Sequence, residues 1–409
     1  MISHNQVRFS ITEKHFILIF TLLFNTLTWF YMVWITIDNF LGGLQEPSTR
    51  AIVAWTSYLV AVVVSGILGS ILSNKIRPIR LFYFWVLLGV FSSLLPIWVN
   101  ETSAVSTSII TLFLGFSFGL GTPVLLASFA DCTDVENRGR IAGIIFLAIN
   151  ISAPIFAVAV EAFDLTTVSI ILAVWRGFAL ILLFNLRIAP RAGETRKNLS
   201  FSSIFQDRAF VLYFVAWLLF CSVDDFEKLI LSGFLPADFY SSMLLVEAVI
   251  GSVFGLVGGW LCDFIGRKRV IIYGFVALGL AYAIITIAPV TVFWYLYFIV
   301  DGISLGMLWV AFFFVLWGDL SQHGGREKYY AIGGIPYFLT PLIRVIIAPV
   351  VALPAYVAFS LASFFLFVAV LPLMLAPETL PEKKIDARRL KKYLEKAKEV
   401  REKHEEESV

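Results

Sequence analysis

Twelve long apolar segments run through this sequence and limit what the chain can fold into. Segments of about 20 predominantly apolar residues are long enough to cross a bilayer as helices. The hydrocarbon core offers no water to backbone groups, so such segments form helices with internal hydrogen bonds. We therefore expect an all-α membrane protein with twelve transmembrane helices. The segment cores lie at 16–37, 51–73, 80–99, 104–130, 140–161, 165–188, 209–233, 239–261, 268–288, 291–318, 329–352 and 355–376.

The composition agrees with a membrane protein and argues against several other classes. Of the 409 residues, 59% are apolar and only 15% are charged, whereas a soluble domain carries about 25% charged residues. The net charge of +2 gives no indication of a nucleic-acid partner. Cys132, Cys221 and Cys262 are too scattered for a disulfide framework or a metal site. We expect no metal, no cofactor, and the lipid bilayer as a partner.

A long polar segment divides the twelve apolar segments into two sets of six. We predict an N-terminal six-helix bundle at 1–188, a cytoplasmic linker at 189–208 and a C-terminal six-helix bundle at 209–376. The charged tail at 377–409 holds ten of the 31 lysines and arginines within its last 27 residues. The spacing of its leucines predicts a helix.

Basic residues are distributed unequally between the connections, and this sets the expected orientation. Cytoplasmic connections of multi-pass proteins carry an excess of lysine and arginine. If the N-terminus is cytoplasmic, the opposite side holds only Arg50, while the cytoplasmic side holds Lys75, Arg77 and Arg138 among many others. We therefore predict that both termini are cytoplasmic and that the protein spans the cytoplasmic membrane.

The two halves of the sequence repeat several features at matching places. Arg138 precedes the fifth segment and Arg326 precedes the eleventh, and an acid stands upstream of each, Asp131 and Asp319. The fourth and tenth segments each contain a G-x-x-x-G pattern, which is typical of closely packed membrane helices. The pairs are Gly115 with Gly119 and Gly302 with Gly306. The repetition predicts two pseudo-symmetric bundles.

A short basic loop between the eighth and ninth segments carries the most specific motif. It contains Gly259, Asp263, Gly266, Arg267, Lys268 and Arg269. This loop resembles the G-x-x-x-D-[RK]-x-G-R-[RK]-[RK] signature of the major facilitator superfamily (MFS) of transporters, with Phe264 in place of a basic residue. The corresponding loop between the second and third segments departs further, with Ser73 at the aspartate position. The resemblance extends to about residue 380 and implies a membrane transporter with two related bundles.

The chemistry of this loop indicates a latch on the cytoplasmic side. Asp263 can pair with Arg267 or Arg269, or it can face the positive N-terminus of a neighbouring helix. Gly266 allows a tight turn. We predict that Gly259, together with these four residues, holds the two halves together. The alternative is a loop that only fixes topology through its positive charge.

Ionisable residues inside apolar segments are costly and are candidate functional residues. The candidates for binding substrate or protons are Arg176, Asp224, Asp225, Glu247, Asp301 and Arg344, with Trp29 and Asn25 in the first segment. Glu247 or Asp301 is expected to bind and release a proton, and Arg344 or Arg176 to supply a countercharge or hold an anionic substrate. The alternatives are local ion pairs, such as Asp224 with Lys228, and buried pairs that only support packing.

These features favour a secondary active transporter that moves a small organic solute by alternating access. We expect proton coupling, by symport or antiport, and a monomeric protein. The sequence contains no nucleotide-binding P-loop and no nucleophile–base pattern, so we do not expect an ATP-driven pump or an enzyme. One alternative is a multidrug or metabolite efflux antiporter. Another is an MFS-like membrane receptor or assembly factor that does not transport.

Overall fold

The computed structural model describes residues 2–41, 48–99, 103–185, 199–321, 324–347 and 354–381. Side chains are described from residue 16 onward within these ranges, except at 185, 346 and 347. All regular secondary structure in this part of the chain is helical. The linker at 189–198 and the tail from 382 lie outside the described residues, so the tail helix stays a prediction.

The helices before the linker are here called the first helix group. They are α1 (Ile2–Leu41), α2 (Thr49–Leu72), α3 (Pro78–Leu94), α4 (Ala104–Gly119), α5 (Thr122–Cys132), α6 (Arg138–Ala162) and α7 (Leu165–Asn185). A 3₁₀ turn, Leu95–Trp98, continues α3. α4 and α5 form one long apolar span that is interrupted at Gly121, just before Pro123. Proline lacks a backbone N–H, which is tolerated in the first turn of a helix.

The helices after the linker follow the short α8 (Phe201–Gln206) and are called the second helix group. They are α9 (Arg208–Phe234), α10 (Ala237–Ile265), α11 (Arg267–Ile287), α12 (Thr291–Trp309), α13 (Trp317–Leu320), α14 (Arg326–Gly333), α15 (Ile335–Leu339), α16 (Pro341–Ile347) and α17 (Ala355–Leu375). A π-helical segment, Val310–Leu316, joins α12 to α13. All seven residues of this segment are buried.

Eleven helical spans among the described residues are long and apolar enough to cross a membrane. The eleventh predicted segment, 329–352, differs from the single helix expected, because its described part consists of α14, α15 and α16. Gly334 lies at the first break, and Pro336 and Pro341 begin the following helices. Each proline removes a helical hydrogen bond to the preceding turn. The count of twelve helices and the location of the termini therefore remain predictions.

Glycines allow the closest helix contacts inside each group, as the paired G-x-x-x-G patterns predict. α2 packs along α4, and a Cβ atom on Gly115 would overlap the Tyr58 carbonyl group of α2. α10 packs along α12 in the same way, with Gly306 against the Gly251 carbonyl group. In both groups the backbones approach to a distance that leaves no room for a side chain.

The two groups meet through α6 on α10 and on the π-helical segment, and through α14 on α5 and on α2. Gly139 of α6 and Gly259 of α10 face each other, and a Cβ atom on either would overlap the other's carbonyl group. The turns at 73–77 and 133–137 lie at the same end of the molecule as Gly266. We call this end the linker face.

We predict that Gly115→Ala lowers the thermal stability of the purified protein. The added methyl group would force α2 and α4 apart, and overpacking of this kind typically costs about 1–3 kcal/mol. Gly233→Ala is the matched control, because a Cβ atom at Gly233 meets nothing within 4 Å. Unfolding followed by tryptophan fluorescence measures both, and equal melting temperatures would show that the α2–α4 approach is not tight.

Candidate functional site

Asp263, near the end of α10, bonds to the first turn of α6 at the linker face. Its carboxylate accepts hydrogen bonds from the Gly139 N–H at 2.9 Å and the Arg140 N–H at 2.8 Å. It also lies 3.3 Å from the Arg267 guanidinium, one of the two pairings that the sequence predicts. The backbone N–H groups of a helix's first turn have no partner within the helix and attract negative charge. This contact joins the second group to the first.

A second carboxylate, Asp319 of α13, binds one arginine from each helix group. Arg138 of α6 donates to one oxygen, and the Arg267 Nε of α11 donates to the other at 2.8 Å. All three side chains are almost fully buried. Arg138 also donates to Thr133 and to backbone carbonyl groups of the α5–α6 turn. Buried charges are stable only when paired and hydrogen-bonded, and this set meets both conditions.

The pairing between Arg138 and Asp319 has a counterpart in the repeated sequence. Arg326, at the start of α14, binds Asp131 at the end of α5. In each helix group the arginine stands seven residues after the aspartate. In the structure, neither aspartate pairs with the arginine seven residues after it. Asp319 pairs with Arg138 of the first group, and Asp131 pairs with Arg326 of the second group. The first pair is buried, whereas Arg326 and Asp131 are partly exposed.

The segment after the last helix, Pro377-Glu378-Thr379, completes the linker-face network. Glu378 accepts hydrogen bonds from the backbone N–H groups of Arg267 and Lys268, which begin α11. Gly266, just before them, has a φ of 107°, a conformation that L side chains rarely adopt. A Cβ atom there would also overlap the Glu378 carboxylate. Gly266 is thus required by both the turn and the approach of Glu378.

Two other residues of the basic loops are not part of this network. Arg269 is exposed and makes no hydrogen bond or ion pair with the described residues. Ser73, the counterpart of Asp263 in the first group, donates to the Ser70 carbonyl of its own helix. Among the described residues, the aspartate contact to the other group is therefore present in only one of the two copies of the motif.

Inside the second group, acidic side chains of α9, α10 and α12 form a buried cluster. Glu247 and Asp301 are 6% and 3% exposed, and their carboxyl groups interact with each other. Glu227 is 3% exposed and interacts with Asp301 and with Tyr297, whose hydroxyl donates to the Tyr282 hydroxyl at 3.3 Å. We call Glu227, Glu247 and Asp301 the acidic cluster.

Basic and polar groups border the acidic cluster on one side. The Lys228 Nζ lies 2.6 Å from Asp224, the local pair that the sequence allows, and it also interacts with Glu247. Asp225 turns to a different neighbour and accepts a hydrogen bond from Thr340 at 2.5 Å. Arg344 of α16 interacts electrostatically with Asp225.

Three predicted site residues lie together inside the first group, apart from the acidic cluster. Arg176 is fully buried and donates to Thr26 at 2.8 Å and to Asn25 at 3.2 Å. Its guanidinium also lies over the rings of Trp85 and Trp29, 4.2 and 5.3 Å from their centroids. The Trp29 indole donates to Ser93. These residues connect α1, α3 and α7.

A small pocket lies between the two groups, with a cavity volume of about 30 Å³. Its walls come from α2, α4, α5, α9, the π-helical segment and α13–α15, and they include Phe118, Trp217, Phe313, Trp317 and Phe338. Phe30 of α1 packs against both Phe118 and Phe338, with ring centroids 4.3 and 5.9 Å apart. The residues that line the pocket are all uncharged, and none of the eight predicted substrate or proton residues is among them.

The predicted set omitted several residues that the structure brings into contact. At the linker face these are Arg138, Asp319 and Glu378, and the equal aspartate–arginine spacing in the two halves was the signal that could have found the first two. In the acidic cluster Glu227 was omitted, although it stands only two residues after Asp225 in the sequence. Tyr297 of α12 is fully buried beside Glu227.

Among the described residues, no group of three or more histidine, cysteine, aspartate and glutamate side chains could hold a metal ion.

Three solved structures share this fold. The proton:xylose symporter XylE bound to 6-bromo-6-deoxy-D-glucose matches 91% of this chain and 96% of its own, with a TM-score of 0.70 at 15% identity. The human organic anion transporter MFSD10 (TETRAN) matches 88% of this chain and 99% of its own, with a TM-score of 0.68 at 12% sequence identity. A variant of the nucleoside transporter NupG matches 90% of this chain and 99% of its own, with a TM-score of 0.59 at 15% sequence identity.

Comparison of the sequence itself gives a more limited result. A search of curated protein sequences finds no match. A family model described as Major Facilitator Superfamily matches residues 230–404, which contain the Asp263 loop and the acidic cluster. The family match lies in the second half of the chain, and the three solved structures, at 12–15% identity, show that the chain has the fold of these transporters.

Proposed function

We propose that this protein is a proton-coupled secondary active transporter for a small organic solute in the cytoplasmic membrane. The family match at residues 230–404 and the fold shared with three solved transporters support transport as the class of activity. The observation that carries proton coupling is the burial of Glu247 and Asp301, two interacting carboxyl groups, inside the second group. Two neighbouring buried carboxyl groups disfavour the state in which both are ionised, which favours a proton on one of them.

The contacts between the two groups support alternating access. At the linker face they are ion pairs and helix-end hydrogen bonds, which form or break as units when the groups rotate relative to each other. Asp319 and Asp263 each join the two groups at this face. The excess of basic residues in the same connections favours a cytoplasmic location for the linker face. Loss of these contacts would open the pocket towards the cytoplasm.

The acidic cluster does not line the pocket, which supports a role in proton coupling that is separate from solute binding. Release of the shared proton would leave Glu247 and Asp301 ionised side by side, a state that like charges disfavour strongly. Lys228 and Arg344 are the nearby cations that could compensate for it. Arg176, a countercharge candidate from the sequence, lies in the other helix group and has no described contact with the cluster.

We predict that Asp301→Asn and Glu247→Gln each abolish solute accumulation driven by a proton gradient. Both amides have no titratable proton, so the cluster could no longer exchange one. Proteoliposomes with an imposed pH gradient would be tested with labelled xylose, uridine and benzoate. These represent the sugar, nucleoside and organic-anion classes named for the similar structures.

The control is Asp238→Asn, which removes an exposed carboxylate from the start of the same helix as Glu247 and should leave accumulation unchanged. Accumulation that persists in both cluster variants would contradict proton coupling through these residues. Equilibration without a gradient response would indicate a uniporter. A protein that binds one of these solutes without moving it would support the receptor alternative.

We predict that Asp263→Asn opens the linker face about 10- to 100-fold more often than in the native protein. Its carboxylate accepts two backbone hydrogen bonds, and a bond to a charged group contributes about 1.5–3 kcal/mol. The measurement is the labelling rate, by a membrane-impermeant maleimide applied to the linker face, of a thiol introduced by Ala331→Cys in the pocket wall. Cys132, Cys221 and Cys262 would first be replaced by alanine.

Ser73→Ala is the matched control for this measurement. Ser73 is at the equivalent position of the other motif copy, is also buried, and bonds only within its own helix. Its substitution should change the labelling rate by less than about twofold. Equal increases in the two variants would show that Asp263 is not a specific latch.

A further inference from the structure

One apolar span, Thr291–Leu320, carries a carboxylate of the acidic cluster and a carboxylate of the linker face. Asp301 of α12 belongs to the cluster, and Asp319 of α13 binds one arginine from each helix group. The two aspartates stand 18 residues apart, which corresponds to roughly 27 Å along a helix. A displacement at one carboxylate therefore reaches the other through the backbone that joins them.

The backbone between the two aspartates is not a uniform α-helix. The π-helical segment, Val310–Leu316, separates α12 from α13. A π-helix bonds residues five apart instead of four, and such turns are rare and occur frequently at functional sites. Because its bonding differs from that of the helices on either side, this segment is the place where α12 and α13 can change their relative rotation.

Before this segment, α12 lies too close to α10 to move independently of the acidic cluster. A Cβ atom on Gly302 would overlap the Glu247 carbonyl group, and one on Gly306 would overlap the Gly251 carbonyl group. The two backbones thus touch at the level of the acids. Ionisation of both Glu247 and Asp301 would create repulsion across this contact, and helices packed this closely transmit a displacement instead of absorbing it.

Ionisable groups of the neighbouring helices surround the two acids. Lys228 attracts them, whereas the other carboxylates repel them, so the set as a whole disfavours ionisation of both acids at once. The cluster therefore changes its state by gaining or losing a proton. The groups that interact with Glu247 or Asp301 are Asp224, Glu227 and Lys228 of α9, Tyr240 of α10, Tyr282 of α11 and Tyr297 of α12.

The π-helical segment contacts both helix groups. Phe312 stacks on Trp217 of α9 with ring centroids 4.6 Å apart, and Phe314 packs edge-on against Phe129 of α5 at 6.0 Å. Tyr330 of α14 donates its hydroxyl group to the Phe314 carbonyl oxygen at 2.6 Å. Ring packing tolerates small rotations of a helix, whereas a hydrogen bond to a carbonyl group is directional and fixes the turn that it contacts.

The Tyr330 hydroxyl group also lies close to the Asp319 site. A Cβ atom on Gly318, the residue before Asp319, would lie 2.6 Å from this hydroxyl group and 3.0 Å from the Arg138 Nη1. Gly318 therefore leaves the space in which the hydroxyl and the guanidinium approach the span. Tyr330 thus contacts both the segment and the residue that precedes Asp319.

We propose that Tyr330 is a positioning residue of the transport cycle, which couples the acidic cluster to Asp319 by holding the Phe314 carbonyl group. This inference rests on the proposed function, which supplies the change in ionisation of the cluster. When both acids ionise, α12 shifts against α10, the held segment carries the shift to α13, and the bonds of Asp319 to its arginines weaken. Without the hydroxyl group the segment adjusts locally, and the shift does not reach the linker face.

The first experiment measures the coupling between the acidic cluster and the linker face. Val62→Cys introduces a thiol in the pocket wall at a residue that is 2% exposed, after Cys132, Cys221 and Cys262 are replaced by alanine. Its labelling by a membrane-impermeant maleimide applied to the linker face reports how often that face opens. Asp301→Asn prevents ionisation of both acids, so it should lower the labelling rate about fivefold or more, the usual size of coupling between two sites.

The second experiment repeats this comparison in Tyr330→Phe, which removes only the hydroxyl group. There, Asp301→Asn should change the labelling rate by less than about twofold, because the two sites no longer interact. The diagnostic quantity is the ratio of the rates without and with Asp301→Asn. A variant that only loosens the linker face changes both rates equally and leaves this ratio at its native value.

Tyr329→Phe is the matched control, because it removes the hydroxyl group of the neighbouring residue in α14. That hydroxyl donates to Asp207 at 3.2 Å and not to the span, so the ratio should stay native. Gly318→Ala tests the proposed bond without altering Tyr330. Its methyl group would displace the Tyr330 hydroxyl from Phe314, and the ratio should fall as in Tyr330→Phe. Either variant carries the test if the other does not fold, which melting curves establish before labelling.

The outcomes distinguish this inference from the proposed function. A native ratio in Tyr330→Phe would overturn the role of Tyr330, as would an equal fall in Tyr329→Phe. A labelling rate that Asp301→Asn leaves unchanged would overturn coupling along the span, and loss of gradient-driven uptake in the same variant would still uphold the transporter. A ratio that falls in Tyr330→Phe but not in Tyr329→Phe, in a protein that accumulates none of the tested solutes, would uphold this inference and overturn transport.

Discussion

The buried carboxylate of Asp319 is the interaction on which the arrangement of the two helix groups depends. One oxygen binds Arg138 from the first group and the other binds Arg267 from the second. Removing one member of such a set leaves an uncompensated buried charge, typically at a cost of about 3–5 kcal/mol. The contact of Gly139 with Gly259 involves the same approach of α6 to α10.

The same physics explains why the linker face behaves as a unit. Asp263 completes the first turn of α6, Glu378 completes the first turn of α11, and Arg267 contacts both Asp263 and Asp319. Each of these carboxylates accepts hydrogen bonds from N–H groups that have no partner within their own helix, so we expect the contacts to form together. A network of this kind favours two discrete states, closed or open, over a gradual loosening, which is what a transporter with alternating access requires.

The acidic cluster and the aromatic pocket lie in different parts of the bundle. The acidic cluster is enclosed by helices of the second group, whereas the aromatic pocket lies between the groups and is uncharged. The sequence placed the acids at membrane depth, and the structure shows that Glu247 and Asp301 meet. It placed Arg176 at similar depth, but that arginine packs between Trp85 and Trp29 in the other group. Position along a helix sets depth, while the rotation of the helix and its neighbours decide which side chains meet.

The sequence by itself determined the helical membrane class, because long apolar segments have no other stable fold in a bilayer. It also predicted the loop with Asp263, a pairing of Asp263 with Arg267 or Arg269, and the glycine contacts within each group. The equal spacing from Asp131 to Arg138 and from Asp319 to Arg326 is visible in the sequence, but the partner of each arginine is not. Only the tertiary structure decided that Asp263 pairs with Arg267, that the repeated aspartates and arginines pair between the two groups, and that proline and glycine break the eleventh segment into three helices. These depend on contacts between residues far apart in the chain, which helical spacing alone does not specify.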